Sequence, residues 1–172
     1  IIFAKNKNLG KKILICPLNW GLGHATRCVP IIKALVSQKH RVIIAADEGP
    51  LAFLQKEFPD MDFIKFPGFS PRYSRSNSQV LKLLSSFPGA LRDFRRDHKT
   101  VEQIVKNRNI ELVISDNRFG CWSKQVPTIF ITHQLHIQVP RFWKFASPIV
   151  KLFNNSYLRK FDKIWVPDEE NE

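Results

Sequence analysis

This sequence predicts a doubly wound α/β domain, in which helices cover both faces of a parallel sheet, and three observations support that prediction. Short apolar runs recur along the chain, and between most of them lie segments with helical spacing. The runs are nearly continuous in Ile, Val and Leu rather than alternating, which marks strands buried on both faces. The first run ends in a glycine turn that leads directly into a helix, as expected at a switch point of such a sheet.

Taken in order, Ile13 to Leu18 is the first strand, after Lys11-Lys12. Asn19-Trp20-Gly21-Leu22-Gly23 makes the turn, and from about Ala25 to Lys39 the residues Cys28, Ile32, Leu35 and Val36 share one helical face. Pro30 is expected in or near the first turn of that helix. Arg41 to Asp47 is the second strand, and Gly49-Pro50 opens a short helix through Phe58 with Pro50 at a first helical position. Asp62 to Pro67 is the third strand. Residues 67–79 read as an irregular loop holding Arg72, Tyr73 and Arg75, and long loops inside a domain are usually functional or mobile. Val80 to Phe87 and Leu91 to Asn107 read as two helices separated by Pro88-Gly89. In the second of them Leu91, Phe94, Val101, Ile104 and Val105 form the buried stripe. Ile110 to Asp116, Pro127 to Thr132 and Lys163 to Val166 supply strands four to six. Right-handed crossovers then predict the strand order 3-2-1-4-5-6, with ligands at the carboxyl ends of strands one and four.

The 172 residues suit one domain or one half of a larger enzyme, and 44 % apolar content excludes a disordered chain. No run reaches the roughly 18–20 apolar residues of a membrane span. Cys16, Cys28 and Cys121 show no disulfide-framework spacing, so a reducing compartment is expected. The chain opens on Ile1 and stops on Glu172, and both ends look cut from a longer protein; no cleavable signal peptide is expected. The net charge of +12 is spread along the chain and concerns partners rather than fold. It leaves nucleic acid, an anionic membrane and a phosphorylated small molecule open at this point.

The chemistry concentrates at three strand ends. Gly21 and Gly23 let the backbone bend and approach a ligand, and the following helix start offers N–H groups to an anion. The turn lacks the Gly-Lys-Ser/Thr ending of a Walker loop. It nearly matches the dinucleotide fingerprint, with Thr26 in the third glycine's place and Asp47 placed as a ribose-binding acid. That reading stays open, as does a turn with no role beyond linking strand to helix. His24 stands at the helix entrance, where a neutral imidazole can take a proton from a hydroxyl. Strand four closes with Ser115-Asp116-Asn117-Arg118, and strand five with Thr132-His133-Gln134, followed by His136. Asp116 is a candidate to orient His24 or to bind a sugar hydroxyl, and Arg118 to balance a phosphate. No full zinc set occurs, so no metal site is expected. Cys16 and Cys28 read as core residues, and Cys121 as the one thiol to watch for reactivity.

Residues 11–27, Lys-Lys-Ile-Leu-Ile-Cys-Pro-Leu-Asn-Trp-Gly-Leu-Gly-His-Ala-Thr-Arg, resemble the opening of GT-B glycosyltransferases of the MurG-like group. Ile-Ser-Asp-Asn-Arg-Phe-Gly (114–120) and Ile-Phe-Ile-Thr-His-Gln-Leu (129–135) resemble later strand ends of bacterial members. The resemblance covers the amino-terminal half of such an enzyme. It implies a Rossmann-like acceptor domain over residues 11–167, an interdomain linker starting at 168–172, and a separate donor-binding domain that lies outside this sequence. It implies transfer of a hexosyl or N-acetylhexosaminyl group from a UDP-linked nucleotide-sugar to an acceptor hydroxyl, on a lipid or cell-envelope glycan, without a bound metal or other cofactor. On that analogy His24 and Asp116 are catalytic. Gly21 and Gly23 pass close to the donor diphosphate, and His133 and Gln134 line the acceptor side. Asn19, Thr26, Arg27, Asn117 and Arg118 complete the expected substrate-binding set. Asn19-Trp20 stands where close relatives of MurG are richer in glycine, and Thr-His-Gln replaces their His-Glu-Gln-Asn. A peptidoglycan lipid acceptor is therefore not assumed.

Residues 140–161 carry Arg141, Lys144, Lys151, Arg159 and Lys160 with no acid, accompanied by Phe142, Trp143, Phe145, Phe153, Tyr157 and Phe161. Phe145, Ile149, Leu152 and Phe153 share a helical face expected to pack on the sheet. The remainder, with Arg141, Trp143 and Lys144 foremost, suits an anionic membrane surface at the cytoplasmic face. The basic stretch from Arg72 to Lys99 is suited to steering an anionic acceptor. No nucleic-acid motif accompanies the charge, so no nucleic-acid partner is expected. A non-catalytic membrane-docking module is the remaining alternative.

Overall fold

The computed structural model describes residues 10–68, 79–132 and 147–167. Six strands and four helices follow one another as β1 (Lys12–Pro17), α1 (Gly23–Ser37), β2 (Arg41–Ala46), α2 (Glu48–Glu57), β3 (Asp62–Lys65), α3 (Gln79–Arg108), β4 (Leu112–Asp116), β5 (Thr128–Ile131), α4 (Ser147–Leu158) and β6 (Lys163–Trp165). The strands form one parallel sheet in the order β3-β2-β1-β4-β5-β6, as the sequence predicts. The chain is an α/β, Rossmann-like doubly wound domain.

The period-2 alternation of each strand divides the core into two layers. Ile13, Ile15, Val42, Ile44, Leu112, Ile114, Ile129 and Ile131 face α1 and α2, where Ala25, Cys28, Ile32, Leu35 and Leu54 complete a buried cluster. Leu14, Cys16, Ile43, Ala45 and Val113 face the opposite way, onto Val101 and Val105 of α3. The same parity sends Asp116 toward α1 and Ser115 toward α3, and this split governs the site.

Several local expectations are corrected. Pro30 is the eighth residue of α1, beyond its first turn. It forfeits one backbone bond, but it sits on the exposed face while Ala25, Cys28, Ile32 and Leu35 anchor the other. Val36, expected on the buried stripe, is 43 % exposed because it lies one position past Leu35. Pro50 is the third residue of α2 rather than the first. Pro88-Gly89 does not end a helix: α3 runs unbroken through both. The pair costs roughly 3 and 1 kcal/mol of local propensity, and such local preference is overridden when the segment beyond packs on a sheet, as Val101 and Val105 do here. Leu152 is 73 % exposed instead of packed on the sheet. By contrast, Phe153, Tyr157 and Phe161 join Phe94, Phe119 and Phe130 in a chain of ring contacts with centroids 4.6–6.4 Å apart. Phe153 therefore packs as expected, and Tyr157 and Phe161 are packing residues as well and leave the expected membrane-facing stripe. Lys160 lies 4.4 Å over the Trp122 ring, an ammonium on an aromatic face. Among the described residues no helix is long and apolar enough to cross a membrane.

Candidate active site

The turn between β1 and α1 rises at the carboxyl end of the central strand. Gly21 adopts φ +70°, the left-handed region that glycine enters without a Cβ clash, and an added Cβ at Gly21 or Gly23 would meet nothing within 4 Å. Leu22 is the N-cap of α1 and offers no side-chain cap. Thr26 turns its hydroxyl back to donate to the Gly23 carbonyl at 2.9 Å, so that side chain serves the turn.

His24, Arg27 and Cys28 occupy i, i+3 and i+4 on α1, which places them on one helical face. That face looks onto Asp116, the last residue of β4, which is completely buried. Nδ1 of His24 stands 3.1 Å from Oδ2 of Asp116, and the Arg27 guanidinium donates to Oδ1. The same Nη2 of Arg27 lies 2.8 Å from Nδ1 of His24. Nδ1 thus sits between a donor and an acceptor, and the two tautomers answer differently. With the proton on Nδ1, the ring donates to Asp116 and Nε2 is a free base; with Nδ1 bare, it accepts from Arg27 and Nε2–H is a donor. The Cys28 thiol lies 3.9 Å from Oδ2 of Asp116, positioned to donate. Burial, reinforced by the Asp116 charge, pushes that thiol's pKa up, so it stays protonated. His24 and Arg27 keep 14 % and 23 % of their side-chain surface open, while Asp116 has none. The carboxylate thus lies against the imidazole and presents no surface of its own.

Arg118 is a clear correction. Two residues past Asp116 it would share that residue's face if the strand continued, but β4 ends at Asp116 and Asn117 at φ +56° breaks the alternation. Arg118 turns toward α3, where Nη2 donates to Asp97 at 2.9 Å with both side chains at least 96 % buried. Its guanidinium also covers the Phe66 ring at 4.0 Å and reaches the carbonyls of Phe66 and Pro67. It clamps the end of β3 to β4 and α3 and is not available to a phosphate. Burial pushes the Asp97 carboxyl up against the downward pull of Arg118. Asp97 was missed in the sequence because a helical acid among several basic neighbours gives no signal of its own.

Asn117 adopts φ +56° beside Asp116, a conformation Asn tolerates, and Thr132 donates to its side-chain oxygen at 3.4 Å. Asn19 is buried in the turn. Cys121 is sealed beside Cys16, and burial raises its thiol, so it is packing rather than a nucleophile. Among the described residues no group of three or more His, Cys, Asp or Glu is placed to hold a metal. His133, Gln134 and His136 lie outside the described residues, as do Arg72, Tyr73, Arg75, Arg141, Trp143, Lys144 and the expected linker at 168–172.

Residues 11–139 match the family model for glycosyl transferase family 1. A curated relative, an uncharacterized glycosyltransferase of Methanosarcina mazei, is 27 % identical over 91 % of this chain and 43 % of its own length. Among solved structures, MurG of Acinetobacter baumannii superposes with TM-score 0.53 at 9 % identity, covering 95 % of this chain and 42 % of that one. The glycosyltransferase SnogD of Streptomyces nogalater does so with TM-score 0.53 at 12 % identity, covering 95 % and 47 %. At those identities the likeness is one of fold, shared with GT-B enzymes. The chain spans under half the length of each of these relatives, and by its family match it belongs to glycosyl transferase family 1.

Proposed function

We propose that this chain is the acceptor half of an enzyme that moves a sugar from a UDP-linked nucleotide-sugar to an acceptor hydroxyl, with His24 as general base. The observation that carries the reading is Nδ1 of His24 held 3.1 Å from a fully buried carboxylate at the mouth of the sheet. A buried carboxylate favours the tautomer that donates to it, leaving the Nε2 lone pair for the acceptor. Nε2 takes the hydroxyl proton as the oxygen bonds to the anomeric carbon, and the electron pair of the breaking bond leaves with the nucleoside diphosphate. Arg27 offsets the charge of Asp116, which otherwise stands uncompensated in the core. Gly21 and Gly23 give the diphosphate close passage to the start of α1, whose N–H groups suit its charge. Asn117 and, beyond it, His133 and Gln134 belong to the acceptor side. The proposal requires no resident metal, and a hexosyl or N-acetylhexosaminyl donor with a lipid or envelope-glycan acceptor fits it. The family match favours this chemistry over a dinucleotide-binding oxidoreductase domain.

In the full-length protein His24→Ala is expected to lower sugar transfer by about 10²- to 10⁴-fold while circular dichroism stays unchanged; turnover near the parent's would remove His24 from the mechanism. A peripheral membrane site at the cytoplasmic face is a second part of the proposal, supported by exposed Leu152 beside Lys151 on α4. Sedimentation with anionic and neutral vesicles tests it, and equal recovery in both supernatants removes it.

A further inference from the structure

Two polar side chains next to this site have no use in the scheme above. Asn19 and Asp47 are 8 % and 9 % exposed, and in each Oδ1 is buried without a hydrogen-bond partner in the protein. Buried polar oxygens are nearly always paired, so an orphan pair at a strand mouth calls for an explanation. The two sit at the carboxyl ends of neighbouring parallel strands, Asn19 just past β1 and Asp47 just past β2. Asp47 is the N-cap of α2, yet it makes no capping bond, and the third residue of that helix, Pro50, has no N–H to offer. The glycine turn leans on the same place, since an added Cβ at Gly49 would lie 3.8 Å from the Leu22 side chain. Trp20, in that turn, is 49 % exposed.

The chemistry of this corner is one-sided. A carboxylate oxygen and an amide oxygen both accept, so the matching ligand must donate. The Asp47 charge disfavours a phosphate, and two oxygens fall short of a metal's ligand set. Vicinal hydroxyls on a sugar ring donate in pairs, and the apolar C–H face of such a ring suits an exposed indole. An added Cβ at Gly21 or Gly23 would meet nothing within 4 Å, so the space beside the turn is open to a ring.

We propose that Asn19 and Asp47, flanked by Trp20, form a hydroxyl-accepting subsite for the ring of a glycoside acceptor. This rests on the transfer reading above and sharpens it: the acceptor is itself a sugar, not an isolated alcohol.

The test is saturation-transfer NMR on the full-length protein. Its probes are the methyl glycosides of glucose, galactose, mannose and N-acetylglucosamine, with cyclohexanol as the single-hydroxyl comparator. At least one glycoside is expected to give a signal that cyclohexanol lacks, and the double variant Asn19→Ala, Asp47→Ser to weaken its binding by about tenfold or more, as a site built to pair hydroxyls should. The melting temperature of that variant should be no lower than the parent's, because it removes unpaired oxygens rather than bonds. No glycoside signal above cyclohexanol overturns the proposal, and so does an undiminished signal in the variant. Should the double variant fail to fold, the exposed change Trp20→Leu decides, a full signal again overturning it. Release of nucleoside diphosphate, with His24→Ala as control, is read separately. Glycoside binding without turnover would sink the transfer reading and spare the subsite; turnover without glycoside binding would do the reverse.

Discussion

Asp116, with no exposed surface, holds Nδ1 of His24 at 3.1 Å across 92 residues of sequence. The contact joins the end of β4 to the first turn of α1, and those elements meet because β1 and β4 are neighbours in the sheet. The imidazole orientation is thus built on the rigid centre of the fold rather than on a loop.

Asp116→Asn keeps the shape but removes the charge that selects the Nδ1–H tautomer. Transfer by the full-length enzyme should fall by roughly 10²- to 10⁴-fold. Steady-state kinetics with the folded variant checks this, and a loss under about threefold would contradict the assigned tautomer.

Arg118 and Asp97 carry a different expectation. Arg118→Ala leaves a buried carboxylate alone and should cost about 3–5 kcal/mol of stability. Replacing both at once, Arg118→Met with Asp97→Leu, should recover most of that loss. Urea denaturation of the three proteins measures it; a single variant as stable as the parent would show the pair to be idle.

Gly120 has no room for a side chain. A Cβ there would lie 2.5 Å from that of Asp97 and 2.7 Å from the Phe94 carbonyl oxygen. Gly120→Ala should therefore destabilise by about 1–3 kcal/mol, seen as a lower denaturation midpoint, with the melting temperature of Gly23→Ala nearly unchanged.

Glu102 gives a pH-dependent signature. Burial pushes its carboxyl up, but donors from Gln125, the Lys124 backbone N–H at 2.7 Å and Ser123 outweigh it and hold the pKa below the ordinary value. A lowered folded pKa contributes stability above the unfolded value, near about 4.3, and that contribution disappears as pH falls through the folded one. Glu102→Gln should hence be slightly less stable at neutral pH and equal to the parent in acid, the effect being small because the side chain is only half-buried and solvent screens it. A difference that persists or grows in acid would contradict the assignment.

Much of this domain was legible beforehand. Buried strands announce themselves by unbroken Ile and Val, and right-handed crossovers leave few ways to order them, so the sheet of β3-β2-β1-β4-β5-β6 follows from pattern alone. That His24 and Asp116 close on the central strands at one end also follows, but whether Asp116 meets His24 or a sugar hydroxyl stays open in the sequence. The fate of Arg118 does not. Strand alternation would have set Arg118 on the face of Asp116, but the left-handed turn at Asn117 ends the alternation, and the sequence does not show which way the chain leaves that turn.

Local chemistry misleads where packing is stronger than propensity. Pro88-Gly89 looks like a stop, yet α3 continues through it, and Pro30 rides inside α1 on its solvent side. The unpaired oxygens of Asn19 and Asp47 belong to the same class: both are ordinary turn and cap residues in the sequence. Hydrophobic periodicity is written residue by residue and can be read that way. Which polar atoms find partners depends on distances between segments far apart in the chain, and only the assembled sheet sets those distances.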